Sequence, residues 1–143
     1  MNSLSKLITM VGLLSFFSAM PLAAQDLSSV NFATPFSFYV GDTKMPSGSY
    51  SLTQPEDLNK TIAVVRSADG LHTAFISVEP TESLNPPRQS KVTFEKYGDT
   101  LYFNRVLLEG DTYGIAAEST KAEKKAKETA SAVEERSITV AGQ

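Results

Sequence analysis

The sequence predicts a mainly β fold: a small antiparallel β-sandwich or partly open barrel of about six to eight strands with one C-terminal α-helix. Three observations predict it. From Val30 to about Leu108, short runs rich in β-branched and aromatic residues alternate with clusters of Gly, Pro, Asp or Asn. Inside those runs apolar residues recur at every second position, the spacing a half-buried strand needs. Past Gly110-Asp111 the composition shifts, and Thr120 to Glu135 is rich in Ala, Lys and Glu with no Gly or Pro, which reads as a helix.

The chain opens with Lys6 in a short polar start, an apolar run from Leu7 to Met20, and Pro21-Leu22-Ala23-Ala24 before Gln25. That order of charged, apolar and small residues is that of a secretory signal peptide, with cleavage expected after Ala24. Thr9, Gly12, Ser15 and Ser18 interrupt the apolar run, which is shorter than the ~20 residues that cross a bilayer. The expected product is therefore exported, periplasmic or secreted, with no membrane span after cleavage. Removing residues 1–24 from the 143 leaves 119, enough for one domain with its own core. The expected layout is a β-domain over 25–117, a charged helix over 118–136 and a tail over 137–143, with a short edge strand over Ser137 to Val140 as the alternative to a disordered tail.

Phe36 to Val40 places Phe36, Phe38 and Val40 on one face, with Pro35 at the strand's start, where a missing amide donor costs least. Gly41-Asp42-Thr43-Lys44 and Met45-Pro46-Ser47-Gly48 read as turns. Ser49 to Gln54 resumes the alternation, pointing Tyr50 and Leu52 inward. Thr61 to Arg66 and Thr73 to Val78 form a hairpin around Asp69-Gly70, and Lys91 to Tyr97 and Thr100 to Leu108 form another around Gly98-Asp99. In the second hairpin Val92, Phe94, Leu101 and Phe103 share the core face. Between the hairpins, Glu79 to Gln89 reads as the longest loop, since Pro86-Pro87 forbids both helix and central strand. Thr120 and Glu123 have capping-box spacing. Lys121, Lys124, Lys125 and Lys127 crowd the positive end of the helix dipole, so the isolated helix is weak. Its apolar stripe, Ala122, Ala126, Ala130 and Val133, is small, and a mobile satellite helix follows.

Chemistry is sparse. The chain has no cysteine, which excludes disulfides, thiolate metal sites, a nucleophilic thiol and a lipoprotein attachment. Loss of Lys6 takes the formal net charge from −3 to −4 and disfavours nucleic acid as a partner. His72, the single histidine, lies in the turn beside Asp69-Gly70 and lacks a second imidazole or thiolate for a metal. The aspartates do not follow the spacing of a calcium loop. No Gly-x-Ser-x-Gly elbow, Ser-x-x-Lys set or phosphate loop is present. These absences leave no expected catalytic residue, metal or cofactor. The aromatics Phe36, Phe38, Tyr50, Phe94 and Phe103 are the candidate lining of an apolar pocket, with core filling as the competing reading. Arg88 in the loop and Lys121, Lys124 and Lys125 on the helix are the candidate partner surface, because loops on a rigid scaffold carry contacts.

The mature region resembles an uncharacterised family of small secreted bacterial proteins of a type frequent in acidobacterial genomes. The resemblance rests on Pro35-Phe36-Ser37-Phe38 with Val40-Gly41, Pro46-x-Gly48-x-Tyr50, Asp69-Gly70 and the run Lys91 to Asp99. It continues through Leu101-Tyr102-Phe103, Gly110-Asp111, Gly114, Ser119 and Glu123. It implies an exported β-rich domain with a polar C-terminal helix and brings no activity or functional residues with it. Its members often carry a tryptophan where this chain has Val106 and Leu107. The expected function is non-enzymatic: binding or structural association with an envelope protein or polymer, with weak self-association through an open strand edge. The alternatives are a carrier of a small apolar ligand and, behind it, a hydrolase built on His72 and turn carboxylates.

Overall fold

The computed structural model describes residues 29–140. The expected signal peptide, residues 1–24, and residues 141–143 of the expected tail lie outside them. The described chain runs β1 (Val30–Thr34), β2 (Phe38–Val40), β3 (Thr43–Met45), β4 (Gly48–Thr53), a 3-10 turn (Glu56–Leu58), β5 (Ile62–Ser67) and β6 (Thr73–Glu82). It continues through β7 (Lys91–Tyr97), β8 (Thr100–Leu107), β9 (Tyr113–Ala117), α1 (Lys121–Thr129) and β10 (Val133–Thr139). The fold is mainly β with one α-helix among the described residues, as expected, but its ten strands exceed the six to eight anticipated.

The additional strands have physical explanations. β1 alternates buried and exposed residues cleanly, but only over five positions. β3 is three residues of a tight hairpin whose turn, Gly41-Asp42, has Gly41 at φ 60°, the left-handed region open to glycine. β9, Tyr-Gly-Ile-Ala-Ala, has little intrinsic strand preference and is held between β6 and β8. β10 replaces the last four residues of the expected 118–136 helix and the start of the expected 137–143 tail. It pairs with β7 from Val133↔Tyr97 to Thr139↔Lys91, because an unpaired β7 edge offers a ladder of hydrogen bonds that an unfavourably charged helix end cannot match. α1 is thus a nine-residue element inside the chain rather than a satellite at its end.

The strands form an open, curled sheet in the order β1-β4-β5-β6-β9-β8, extended on the far side of β8 by β7 and β10. β2, with β3 on its outer edge, lies parallel to β8 at Tyr39↔Tyr102, next to the stretch of β8 that pairs with β9. β6 joins two halves: Thr73–Ser77 pairs with β5, and Val78–Glu82 pairs with β9. A strand that changes partners midway turns the corner of a sheet wrapped on itself. Pro80, expected in the loop, sits past that corner, where β6 has a neighbour on one side only and a missing N–H is tolerated. β1 and β10, the two ends of the path, lie against each other without a ladder.

One hydrophobic core fills the interior, drawing side chains from every described strand, with β10 contributing the partly buried Ile138. Val92, Phe94, Leu101 and Phe103 share it, as the alternation predicts. β8 carries one residue more than β7 at Asn104, so Phe94 faces Phe103 and Val92 faces Val106. That bulge returns the inward phase after Phe103 and allows Val106 and Leu108 to stay buried. Gly114 is required for space: a Cβ there would collide with the Val106 carbonyl oxygen and approach a Leu107 methyl at 2.9 Å. Gly114→Ala is accordingly expected to lose about 1–3 kcal/mol through overpacking, read as a lower denaturation midpoint with an unchanged slope.

Candidate functional site

The five aromatics expected to line a pocket are brought together. Phe38, Phe94, Phe103 and Tyr50 are buried and Phe36 is half-buried. Their rings touch one another: Phe38 meets Phe94 and Tyr50 edge-on at 5.1 Å, Phe36 meets Phe94 at 5.3 Å, and Phe94 meets Phe103 at 6.4 Å. Phe32, outside the expected set, stacks on Tyr50 at 5.7 Å. Edge-to-face contact is the favoured arrangement of aromatic quadrupoles. The Tyr50 hydroxyl emerges at the core's edge, donating to the Pro46 carbonyl, and burial followed by the Asp69 charge pushes its pKa up.

That hydroxyl opens onto a shallow cleft of about 230 Å³ bordered by Ser67, Asp69 and His72. The three residue types invite comparison with a nucleophilic triad, but their bonds run elsewhere. Ser67 donates to the Asp69 carboxylate, and the same carboxylate accepts the Leu71 N–H at 2.9 Å. The Ser67 oxygen in turn accepts the His72 backbone N–H at 3.0 Å. These bonds tie the β5–β6 turn, and they hold Asp69 below the usual carboxylate range, the Ser67 bond contributing most. Activation of a serine requires its hydroxyl to face a base rather than a structural carboxylate. Among the described residues no group of three or more His, Cys, Asp or Glu side chains is placed to hold a metal ion.

The candidate partner cations are not brought together. Arg88 borders an open groove of about 490 Å³ with Pro87, Gln89, Lys91, Ser137 and Thr139. The loop bearing it is tied down by Gly110 N–H to the Pro87 carbonyl at 3.0 Å and Glu109 N–H to the Ser90 hydroxyl at 3.0 Å. Lys121, Lys124 and Lys125 are exposed on α1, which lies over the opposite end of β7. The length of β7 separates the two groups, about 20 Å at ~3.3 Å per residue.

A cluster that sequence reading missed lies under α1, on the outer face of β7, β8 and β2. Tyr39, Tyr102 and Tyr97 form a row with centroids 5.4 and 5.6 Å apart, Tyr97 and Tyr102 being buried. The Tyr97 hydroxyl donates to Glu95, and Glu123 of α1 descends onto the same spot with 3% of its surface exposed. The capping box is present: the Thr120 hydroxyl accepts the Glu123 N–H at 3.2 Å, and the Glu123 carboxylate accepts the Thr120 N–H. Thr120 and Glu123 were legible as a cap, but a helix-start glutamate normally faces water, so its burial carried no signal. Burial, then the Glu95 charge, raises the Glu123 pKa; burial, then Glu95 and Glu123, raises that of Tyr97 well above the ordinary phenol range. Nearby, Arg105 reaches Glu135 of β10 at 3.1 Å while its Nε is buried without a partner among the described residues.

Compared with protein-family models, with curated proteins and with solved structures, the chain finds no match. No described helix is long and apolar enough to cross a membrane.

If the Ser67, Asp69 and His72 cleft is a turn lock, Ser67→Ala should cost about 1 kcal/mol in thermal or chemical unfolding. His72→Ala, which keeps the backbone N–H that Ser67 uses, should leave the midpoint nearly unchanged.

Proposed function

We propose that the protein is an exported, non-enzymatic β-domain of the cell envelope that binds an extended anionic polymer along the groove between Pro87–Lys91 and β10. The observation that carries the reading is the composition of that groove. Arg88 and Lys91 flank it and Gln89 and the hydroxyl-bearing Ser137 and Thr139 line it, a local cationic strip on a chain whose net negative charge works against polyanions elsewhere on its surface. Cations beside hydrogen-bonding hydroxyls, in a groove open along its length, suit a chain of carboxylate, sulfate or phosphate groups. The loop is pinned at both ends, so little ordering entropy is lost on contact.

The direct ring contacts among Phe36, Phe38, Tyr50, Phe94 and Phe103 favour this surface reading over the apolar-ligand carrier. The engagement of Ser67 and Asp69 in the turn weighs against the hydrolase. Export rests on residues 1–24, and the likeness to small secreted bacterial β-proteins agrees with it.

The purified mature protein should co-sediment with isolated bacterial envelope material and be released as salt rises, because exposed charge pairs are screened. The double reversal Arg88→Glu/Lys91→Glu should weaken binding at least about tenfold, equivalent to about 1.4 kcal/mol. Salt-insensitive binding, or binding unchanged by the reversal, would reject the groove; retention by a protein fraction rather than polymer would replace the ligand class.

A further inference from the structure

α1 has one buried side chain, and it is an acid: Glu123, on the face that meets β7 and β8. An ionised carboxylate removed from water needs compensation. On its own element Glu123 has the Thr120 N–H, the Ser119 hydroxyl and, at longer range, the Lys127 ammonium. Against these, β7 presents the Glu95 carboxylate, and the Tyr97 hydroxyl between them already gives its proton to Glu95. β8 contributes Tyr102, and β2 with its turn contributes Tyr39 and Asp42 beyond it. On β10, Glu135 lies directly across from Glu95 and is neutralised by Arg105 rather than by any group facing Glu123. One phenolic proton cannot serve two carboxylates, and no arginine enters the space between them.

We propose that α1 is an acid-strengthened clamp, seated on the outer tyrosine face when the buried Glu123 is protonated and loosened when Glu123 is ionised beside the Glu95 carboxylate. A protonated Glu123 donates to the oxygen cluster and removes the like-charge contact in one step. The undocked helix leaves Glu123 in water with an ordinary carboxylate affinity, whereas docking raises it. The linkage sign follows: the proton's contribution to docking is complete below the ordinary carboxylate range and is lost as pH rises through the raised value. The alanine stripe adds little holding force, since Ala122 is exposed and Ala126 only half-buried.

The test is amide hydrogen exchange of residues 121–129 in the intact mature protein, corrected for intrinsic rates, from about pH 4 to about pH 8, across the upper part of carboxylate titration. β7 and β8 amides serve as internal references. Protection of α1 relative to them should fall several-fold as pH rises. Glu123→Gln keeps the capping-box chemistry, because glutamine also serves at that position, and should give protection that no longer varies with pH. Glu95→Gln should raise α1 protection at the neutral end. Relative protection that is flat with pH in the unmodified protein, or an unaltered pH dependence in Glu123→Gln, would overturn the clamp. If Glu123→Gln fails to fold, Glu95→Gln alone decides: no gain in neutral-pH protection overturns the proposal.

Discussion

Everything in this fold depends on the packing of one ring. Phe94 touches Phe32, Phe36, Phe38 and Phe103, and through them fastens β1, the β1–β2 connection, β2 and β8 to β7. A chain with no cysteine has no covalent staple to hold a curled sheet closed. Truncating a fully buried phenylalanine typically costs ~3–5 kcal/mol, a large share of the ~5–15 kcal/mol that keeps a domain folded. The bulge at Asn104 makes sense in this light: the hairpin register already sets Phe103 opposite Phe94, and the extra residue brings Val106 rather than Arg105 opposite Val92. The Arg136 guanidinium, 6.0 Å from the Phe36 ring centroid, covers the same cluster where β1 and β10 meet without a ladder.

Outside the sheet a second layer obeys different rules. Its members are tyrosines, glutamates, Lys96 and two arginines, and hydrogen bonds and charges act there alongside the burial of Tyr97, Tyr102 and Glu123. Ion pairs from Lys96 to Glu134 and from Arg105 to Glu135 join β10 to β7 and β8, while Arg136 pairs with Glu134 within β10. These pairs are partly exposed, so each is worth little by itself. The backbone ladder between β10 and β7 is the stronger tie, continued by Val140 N–H to the Ser90 carbonyl at 2.9 Å. The proposed clamp lies in this outer layer and the proposed groove at the other end of β7, while aromatic and aliphatic side chains fill the interior.

The parts of the fold legible in the sequence are those fixed by local rules. Asp69-Gly70 and Gly98-Asp99 mark their hairpins because glycine adopts φ of 75° and 61° there. Thr120 and Glu123 mark the helix start because their spacing satisfies two amides reciprocally. β9 and β10 were illegible for the opposite reason: Gly-Ile-Ala-Ala and Glu-Glu-Arg-Ser become strands only because β6, β8 and β7 have edges to be covered. The same limit applies to the sites. The aromatic set is readable as a group, since inward phase is local, whereas the separation of Arg88 from the α1 lysines and the meeting of Glu95 with Glu123 depend on topology. Charge patterning assigns both glutamates to solvent, and only the helix crossing over β7 puts them together.

The central claim is that this protein's own rings occupy its interior, so that recognition takes place on its surface. The most direct measurement is the native mass of the mature protein, purified from an exporting bacterial host, before and after denaturation. The account predicts the mass of the polypeptide alone in both states. A reproducible excess mass in the native state, lost on denaturation and retained at high salt, would contradict it and show that the core encloses a ligand.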